Sequence, residues 1–140
     1  MFKLSKKADY ALVALSHLQR KQAPASAKEI AQTYNLSNQM LANVLKSLAG
    51  AGYLISKRGT LGGYSLSRQP GQISLGEVIG LFDGEKAFSD CSSLEKDCVS
   101  AAKCPARRPV LMIHRKIKEF VDGISLADLA NLPDFAKMRI

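Results

Sequence analysis

The chain has 140 residues, 46% of them hydrophobic, which is enough for one domain with a buried core. No segment approaches the ~20 consecutive apolar residues that a membrane helix requires, and the charged N-terminus lacks the apolar run of a signal peptide. These features exclude a membrane-spanning protein. We expect a cytoplasmic protein, without a membrane partner, whose cysteines stay reduced.

The net charge of +8 lies in the first half of the chain. Residues 1–70 contain ten lysines and arginines against only Asp9 and Glu29, whereas residues 71–140 contain ten charges of each sign. A basic half of this kind indicates a polyanionic partner, with nucleic acid favoured over an anionic membrane surface.

Sequence patterns predict three short helices in the basic half. Apolar residues recur at helical spacing in a first helix that ends beyond Leu18. Ser26 and Glu29 form the capping-box pattern S-x-x-E at the start of the second helix, and Ser37 can cap a third helix over 38–49. Two helices joined by a tight turn, the second of them amphipathic, are typical of a helix-turn-helix.

The third helix has an outward face suited to DNA. Its apolar residues recur at i, i+3, i+4 and i+7, and the opposite face carries short or amide side chains. Amide side chains pair with adenine in the major groove, while lysines and helix starts hold phosphates. An ordinary three-helix core is the alternative. We predict base contacts from Asn38, Gln39 and Asn43 and backbone contacts from Lys28, Ser37 and Lys46.

A β-hairpin is predicted directly after the third helix. Residues 53–56 and 64–67 read as strands, and three glycines between them supply the turn. In this place the hairpin is the wing of a winged helix. Lys57 and Arg58, at its base, can reach a phosphate or the minor groove.

The second half predicts a long helix that needs a partner. Ser74 and Glu77 repeat the capping-box pattern and open a fourth helix. Helical periodicity returns over 106–122, which gives a helix about 25 Å long that so small a domain cannot cover. Its apolar stripe is expected to pack on a symmetric second copy of the chain. The stripe consists of Val110, Ile113, Ile117, Phe120 and Val121, followed by Gly123 as the helix stop.

The predicted fold is mainly α with a small β-hairpin wing, a winged helix-turn-helix followed by a long C-terminal dimerisation helix. Four segments follow from the patterns. They are a DNA-binding winged helix-turn-helix domain at 1–83, a cysteine-bearing loop at 84–105, a dimerisation helix at 106–123, and a short helix with a tail at 124–140.

The three cysteines lie together in the predicted polar loop. Cys91, Cys98 and Cys104 lack the C-x2-C pairs typical of structural zinc sites. Three thiolates can hold three irons of a 4Fe-4S cluster and leave the fourth iron to another ligand, which suits a sensor. A zinc site and a redox thiol switch, helped by Lys96 and Lys103, remain open.

These features occur together in a known family. The opening KLSKKADYAL, the block GYLISKRGTLGGYSLSR followed by ISLGEVIGLFDG, and the three cysteines resemble the winged-helix regulators of the IscR, NsrR and RirA family. Those proteins are bacterial transcription factors that carry an iron-sulfur cluster, and the similarity runs from Leu4 to about Val121. The resemblance implies a homodimer, a roughly palindromic operator in double-stranded DNA, and a DNA affinity set by the cluster.

The chain departs from the family pattern at positions that decide which cluster ligands the resemblance implies. Where the IscR branch has a histidine ligand to a 2Fe-2S cluster, this chain has Arg107. In the NsrR branch an acidic residue of the partner subunit completes a 4Fe-4S site, and Asp9 lies at the matching position. The resemblance thus implies 4Fe-4S over 2Fe-2S with Asp9 as fourth ligand, whereas a role at the start of the first helix is the alternative. The wing has Thr60 and Leu61 where the family has proline and glycine, and the first cysteine gap is one residue longer.

The sequence therefore predicts a DNA-binding transcription regulator, a repressor or an activator, whose iron-sulfur cluster senses iron, redox state or nitric oxide. The alternative is a thiol-redox or zinc-stabilised winged-helix regulator without a cluster. His17 and His114 are expected to pack and not to bind metal. No enzyme is predicted, because nothing orients a Cys-His pair toward a substrate.

Overall fold

The computed structural model describes residues 3–84 and 102–131, which form helices and one β-hairpin. This arrangement confirms the predicted mainly α fold with a hairpin. In chain order the elements are α1 (Lys6–Lys21), α2 (Ala27–Tyr34), α3 (Asn38–Gly50), β1 (Leu54–Lys57), β2 (Gly63–Leu66), a 3-10 turn (Pro70–Gln72), α4 (Leu75–Asp83), α5 (Arg107–Asp122) and α6 (Leu126–Asn131).

Serine side chains begin the first three helices. The hydroxyls of Ser5, Ser26 and Ser37 accept hydrogen bonds from backbone amides three residues ahead, at 3.1, 3.1 and 3.4 Å. Each serine therefore satisfies one of the amides that a helix start leaves without a partner. Only half of the capping box predicted at Ser26 forms, because the Glu29 carboxylate accepts a 2.5 Å hydrogen bond from Lys21 Nζ instead.

The capping box predicted at the start of α4 is wrong. Ser74 donates its hydroxyl to the carbonyl of Asp122 at 2.9 Å, and no side-chain hydrogen bond caps α4. Glu77, its expected partner, accepts a hydrogen bond from the Tyr53 hydroxyl at 3.4 Å. Both side chains serve contacts between distant parts of the chain, which a local pattern does not reveal.

A single apolar core joins the helices. α1 packs against α3 and α4, and α2 packs against α3. The largest side chains with almost no solvent exposure are Leu15, Ile30, Leu41, Val44, Leu45, Leu48, Ile73, Val78 and Leu126. On α3 they occupy the predicted i, i+3, i+4 and i+7 positions, so this periodicity identified the buried face correctly.

The two hairpin strands begin and end within one residue of their predicted positions. β2 also pairs with a residue outside the hairpin, Ala25. β1 pairs with β2 in antiparallel register, from Leu54 opposite Leu66 to Lys57 opposite Gly63. On its other edge, β2 is bonded to Ala25, which precedes α2. The Ala25 amide donates to the Tyr64 carbonyl at 3.0 Å, and the Tyr64 amide donates to the Ala25 carbonyl at 2.8 Å.

Helix α6 packs against the apolar core through Leu126. Leu126 is fully buried, and its amide donates to the Ile73 carbonyl at 2.8 Å. A reciprocal cap begins α6, since the Ser125 amide donates to Asp128 Oδ2 at 2.8 Å and the Asp128 amide donates to the Ser125 hydroxyl at 3.3 Å. The hydrogen bond from the Ser125 amide lowers the pKa of the Asp128 carboxyl.

The long helix α5 lies largely at the surface. It packs against α4, yet none of its residues is fully buried. Gly123 follows it, as predicted, but with φ of −78°, so the chain leaves the helix without a left-handed cap. No helix in the described ranges is long and apolar enough to cross a membrane.

Replacing Leu126 by alanine should lower the free energy of unfolding by about 2–5 kcal/mol, because it removes a fully buried leucine side chain. The matched control is Leu61→Ala, the same chemical change at a side chain that is 90% exposed, which should cost less than about 0.5 kcal/mol. Urea unfolding of both variants measures the difference. Equal small losses would contradict the placement of α6 in the core.

Candidate nucleic-acid interface

One exposed face of α3 carries four of the eight predicted DNA contacts. Asn38, Gln39, Asn43 and Lys46 are exposed, on the side opposite the buried leucines. Ser37 lies at the N-terminal end of α3 as its N-cap, and Lys28 is exposed in the first turn of α2. The structure thus brings the four α3 side chains onto one accessible surface.

The turn between α2 and α3 is held by backbone and side-chain bonds. Asn35 ends α2 in the left-handed conformation, with φ of 54°. The Ser37 amide then donates to the Tyr10 hydroxyl of α1 at 3.2 Å. The local sequence pattern does not reveal the role of Tyr10, because its partner Ser37 is 27 residues away.

A polar cluster, absent from the sequence predictions, joins α1 to α2. His17 Nδ1 lies 3.0 Å from the Tyr34 hydroxyl, and His17 Nε2 lies 3.7 Å from Glu29 Oε1. The hydrogen bond from Lys21 is the main cause that lowers the pKa of the Glu29 carboxyl. The half-buried His17 therefore links α1 to α2, the first helix of the helix-turn-helix, and its partners are protein groups.

The basic pair of the hairpin lies at its tip, not at its base as predicted. Lys57 is the last residue of β1, where the ladder ends opposite Gly63, and Arg58 begins the turn. Both side chains are exposed. The prediction placed them wrongly because the base of the ladder, at Leu54, is the end attached to α3.

The base of the hairpin is braced by a second polar cluster. The guanidinium carbon of Arg68 lies 4.9 Å from the ring centre of Tyr53, within the range of a cation–π contact. The Tyr53 hydroxyl donates to Glu77 of α4. Burial is the main cause that raises the pKa of the Tyr53 hydroxyl, with the Glu77 charge second. These contacts fix the hairpin against α4.

Of the four predicted cluster ligands, the structure places two. Cys91 and Cys98 lie outside the described residues. Cys104 is half-buried and free, three residues before α5, and Asp9 is exposed in the first turn of α1. Over 3–84 and 102–131 no three histidine, cysteine or acidic side chains gather as a metal site.

A hydrogen bond joins the start of α1 to the end of α4. The Ser5 amide donates to Asp83 Oδ2 at 3.0 Å, across 78 residues of sequence. Asp83 is the last residue of α4, immediately before the segment that contains the first two cysteines. Sequence analysis gave no signal for this contact beyond an acidic residue at a helix end.

Comparison with known proteins establishes the family. The sequence profile of Rrf2, described as an iron-dependent transcriptional regulator, matches residues 4–132. The chain belongs to the Rrf2 family.

Among Rrf2 relatives, CymR of Bacillus subtilis is 36% identical over 135 residues, which cover 94% of this chain and 92% of CymR. NsrR of the same organism is 29% identical over 140 residues, covering 97% and 96%. Both are described as helix-turn-helix transcriptional regulators. The relatives therefore place this chain among DNA-binding transcription regulators.

Solved structures of Rrf2 proteins share the fold. The structure of CymR, described as the global cysteine regulator of B. subtilis, matches with a TM-score of 0.78, at 36% identity, over 96% of this chain and all of that one. IscR of T. potens matches with a TM-score of 0.74, at 30% identity, over 99% and 93%. The predicted winged-helix fold and the resemblance to IscR and NsrR regulators are thus confirmed.

Proposed function

We propose that this Rrf2 protein is a homodimeric regulator that binds a roughly palindromic operator, with a DNA affinity controlled by an iron-sulfur cluster that responds to iron, redox state or nitric oxide. The observation that carries the proposal is the exposed polar face of α3, and the exposed basic pair at the hairpin tip supports it. The cluster and the dimer rest on further features of the second half.

The DNA-binding surface combines groups that read bases with groups that hold phosphates. Amides of Asn38, Gln39 and Asn43 lie on the exposed face of α3, where they suit adenine edges in the major groove. Lys46 and the N-terminal end of α3 at Ser37 suit the phosphate backbone. Lys28, Lys57 and Arg58 extend this basic surface to the start of α2 and the hairpin tip.

Exposed apolar side chains on α5 support a homodimer. Ile113 and Phe120 of the predicted stripe are 53% and 70% exposed, and Met112 on the same helix is 51% exposed. The other stripe residues, Val110, Ile117 and Val121, are half-buried. Exposing such a stripe to water is unfavourable, and a second copy packed on it would bury both stripes at once. The proposed division therefore keeps 1–83 for DNA, 84–105 for the cluster, 106–123 for the dimer and 124–140 as a terminal segment.

The surroundings of Cys104 suit an anionic iron-sulfur group. Lys103, Arg107 and Arg108 are exposed on either side of Cys104. No acidic residue occurs in the sequence between Asp97 and Glu119. The N-terminal end of α5 adds partial positive charge. Cys91, Cys98 and Cys104 would hold the cluster, and its incomplete thiolate ligation would supply a centre sensitive to oxidants and iron loss.

The proposed fourth ligand is Asp9 of the partner subunit. Its carboxylate is exposed, so it is accessible to a second chain. Arg107 has no lone pair to offer a metal, because the guanidinium stays protonated. The resemblance to the NsrR branch, in which an acidic residue of the partner subunit completes a 4Fe-4S site, therefore supports Asp9 as the ligand and 4Fe-4S over 2Fe-2S.

The contact between Ser5 and Asp83 offers a route from the cluster to the DNA-binding helices. Asp83 adjoins the cysteine-bearing segment, and Ser5 begins the helix that contains Asp9. A small cavity of about 240 Å³ lies nearby, lined by Lys7, Asn43, Val44, Ser47, Leu81 and Phe82. A shift at the end of α4 or the start of α1 would therefore reach α3 directly.

A thiol-switched or zinc-stabilised regulator is the second candidate. The observation that favours it is the similarity along most of the chain to CymR, described as a global cysteine regulator. In that case the same DNA-binding surface would respond to oxidation of the three cysteines or to zinc bound by them. The mass of the group bound to the purified protein separates the two candidates.

Native mass spectrometry of protein purified without oxygen tests the cluster and the dimer together. We expect a dimer with a 4Fe-4S increment per subunit, lost in Cys98→Ala because only two thiolates remain. The control, Ser47→Ala, lies on α3 and should retain the cluster. Zinc or bare thiols in the wild type would favour the second candidate, and a full cluster in Cys98→Ala would refute the ligand assignment.

Replacing Arg58 by alanine should weaken DNA binding about ten-fold, because one phosphate contact is lost. The slope of log affinity against log salt concentration should become shallower by about one, the contribution of one phosphate contact. Affinity is measured across a salt titration on a duplex that the protein selects from a random library. Arg20→Ala, which removes one exposed charge at the end of α1, is the control for general charge loss. An unchanged salt slope in Arg58→Ala would exclude the hairpin tip from the interface.

Replacing Asp83 by alanine should reduce the effect of the cluster on DNA affinity, because it removes the acceptor that joins α4 to the Ser5 amide. Coupling between two sites commonly changes affinity about 5- to 150-fold, and we expect the ratio between cluster-loaded and cluster-free protein to fall at least about three-fold. Glu77→Gln, also on α4, is the control. An unchanged ratio in Asp83→Ala would exclude this route.

A further inference from the structure

Leu61, at the tip of the hairpin, is 90% exposed, more than the exposed apolar side chains of α5. Single exposed leucines are common on protein surfaces and need no explanation by themselves. Two further properties distinguish this one: the rigidity of the turn that carries it, and the charge of its neighbours.

The turn that carries Leu61 is closed by its glycines. The Gly62 amide donates to the Gly59 carbonyl at 2.9 Å, and Gly59 has φ of +115°. A Cβ at position 62 would lie 2.8 Å from the Gly59 carbonyl oxygen and 2.9 Å from the carbonyl carbon of Arg58, closer than real side chains come. Leu61 therefore projects from a compact turn that a backbone hydrogen bond closes.

The neighbours of Leu61 are basic or uncharged. Lys57, Arg58 and Thr60 are exposed beside it, and no acidic residue occurs between positions 54 and 66. A partner must therefore accept one apolar side chain and positive charge together. A single leucine is too little apolar surface to hold a lipid bilayer, whereas DNA-binding proteins insert single leucines between base steps of the minor groove.

We propose that Leu61 enters the DNA minor groove beside Arg58 and packs against a base step there. Pyrimidine–purine steps unstack most easily, so the leucine would favour operators with such a step under the hairpin tip. The tip would then read the deformability of DNA while α3 reads base edges. This inference rests on the proposed DNA-binding function and assigns the hairpin a role in sequence preference.

The test compares variants on a duplex that wild-type protein selects from a random 40-base-pair library. Leu61→Gly should weaken binding roughly ten-fold without changing the salt slope, because no phosphate contact is lost. Leu61→Met should stay within about three-fold of wild type, since it keeps an apolar side chain of similar size. Ile55→Thr, in β1 and away from the tip, is the control for loss of an exposed apolar group.

Base unstacking provides a second measurement. 2-Aminopurine replaces each adenine of the selected duplex in turn, and its fluorescence should rise at one step with wild type and Leu61→Met, but not with Leu61→Gly. Circular dichroism confirms that each variant is folded.

The outcomes separate this inference from the proposed function. Wild-type affinity and unstacking in Leu61→Gly would overturn the inference and leave DNA binding intact. Loss of binding to anionic vesicles in Leu61→Gly, with DNA binding unchanged, would also overturn it and assign the tip to a membrane surface. A wild-type protein that selects no duplex at low salt would overturn the proposed function itself.

Discussion

The close approach of the hairpin to Ala25 is the constraint on which the DNA-binding surface depends. Two backbone hydrogen bonds join Ala25 to Tyr64, and the neighbouring Gly63 has φ of +143°. A Cβ at Gly63 would lie 2.6 Å from the carbonyl carbon and oxygen of Ala25, so only glycine permits this contact. Because Ala25 immediately precedes α2, the contact fixes the hairpin relative to the helix-turn-helix.

Local patterns predicted the elements well, but tertiary contacts decided how several side chains are used. Helix periodicity identified the buried face of α3, because that signal depends only on spacing along one helix. The pairing of Ser74 and Glu77 was predicted wrongly, since both side chains have partners brought near by folding. The basic pair of the hairpin was misplaced for a related reason, because its position depends on strand register.

The part of the candidate site that lies on one helix, α3, was predictable from the sequence. The contacts between residues far apart in sequence were not. Asn38 and Asn43 lie on the exposed face that amphipathic periodicity requires. The hydrogen bonds between His17 and Tyr34, Tyr53 and Glu77, and Ser5 and Asp83 connect residues 17, 24 and 78 positions apart. No pattern within one segment encodes such pairs, although they position the helices that carry the proposed function.

Because α6 packs against the core, the segment proposed to hold the cluster is anchored to the rest of the protein on both sides. The Leu75 amide donates to the Ile124 carbonyl, and the Ser74 hydroxyl donates to the Asp122 carbonyl. Leu126 is buried, and its amide donates to the Ile73 carbonyl. Ser74 and Asp122 are 48 positions apart, so these contacts join the two ends of a chain segment that includes α4 and α5. Loop-closure entropy grows only logarithmically with length, so one added residue costs well under about 0.1 kcal/mol. The number of residues between the cysteines can therefore change in evolution with almost no loss of stability in the fold that binds DNA.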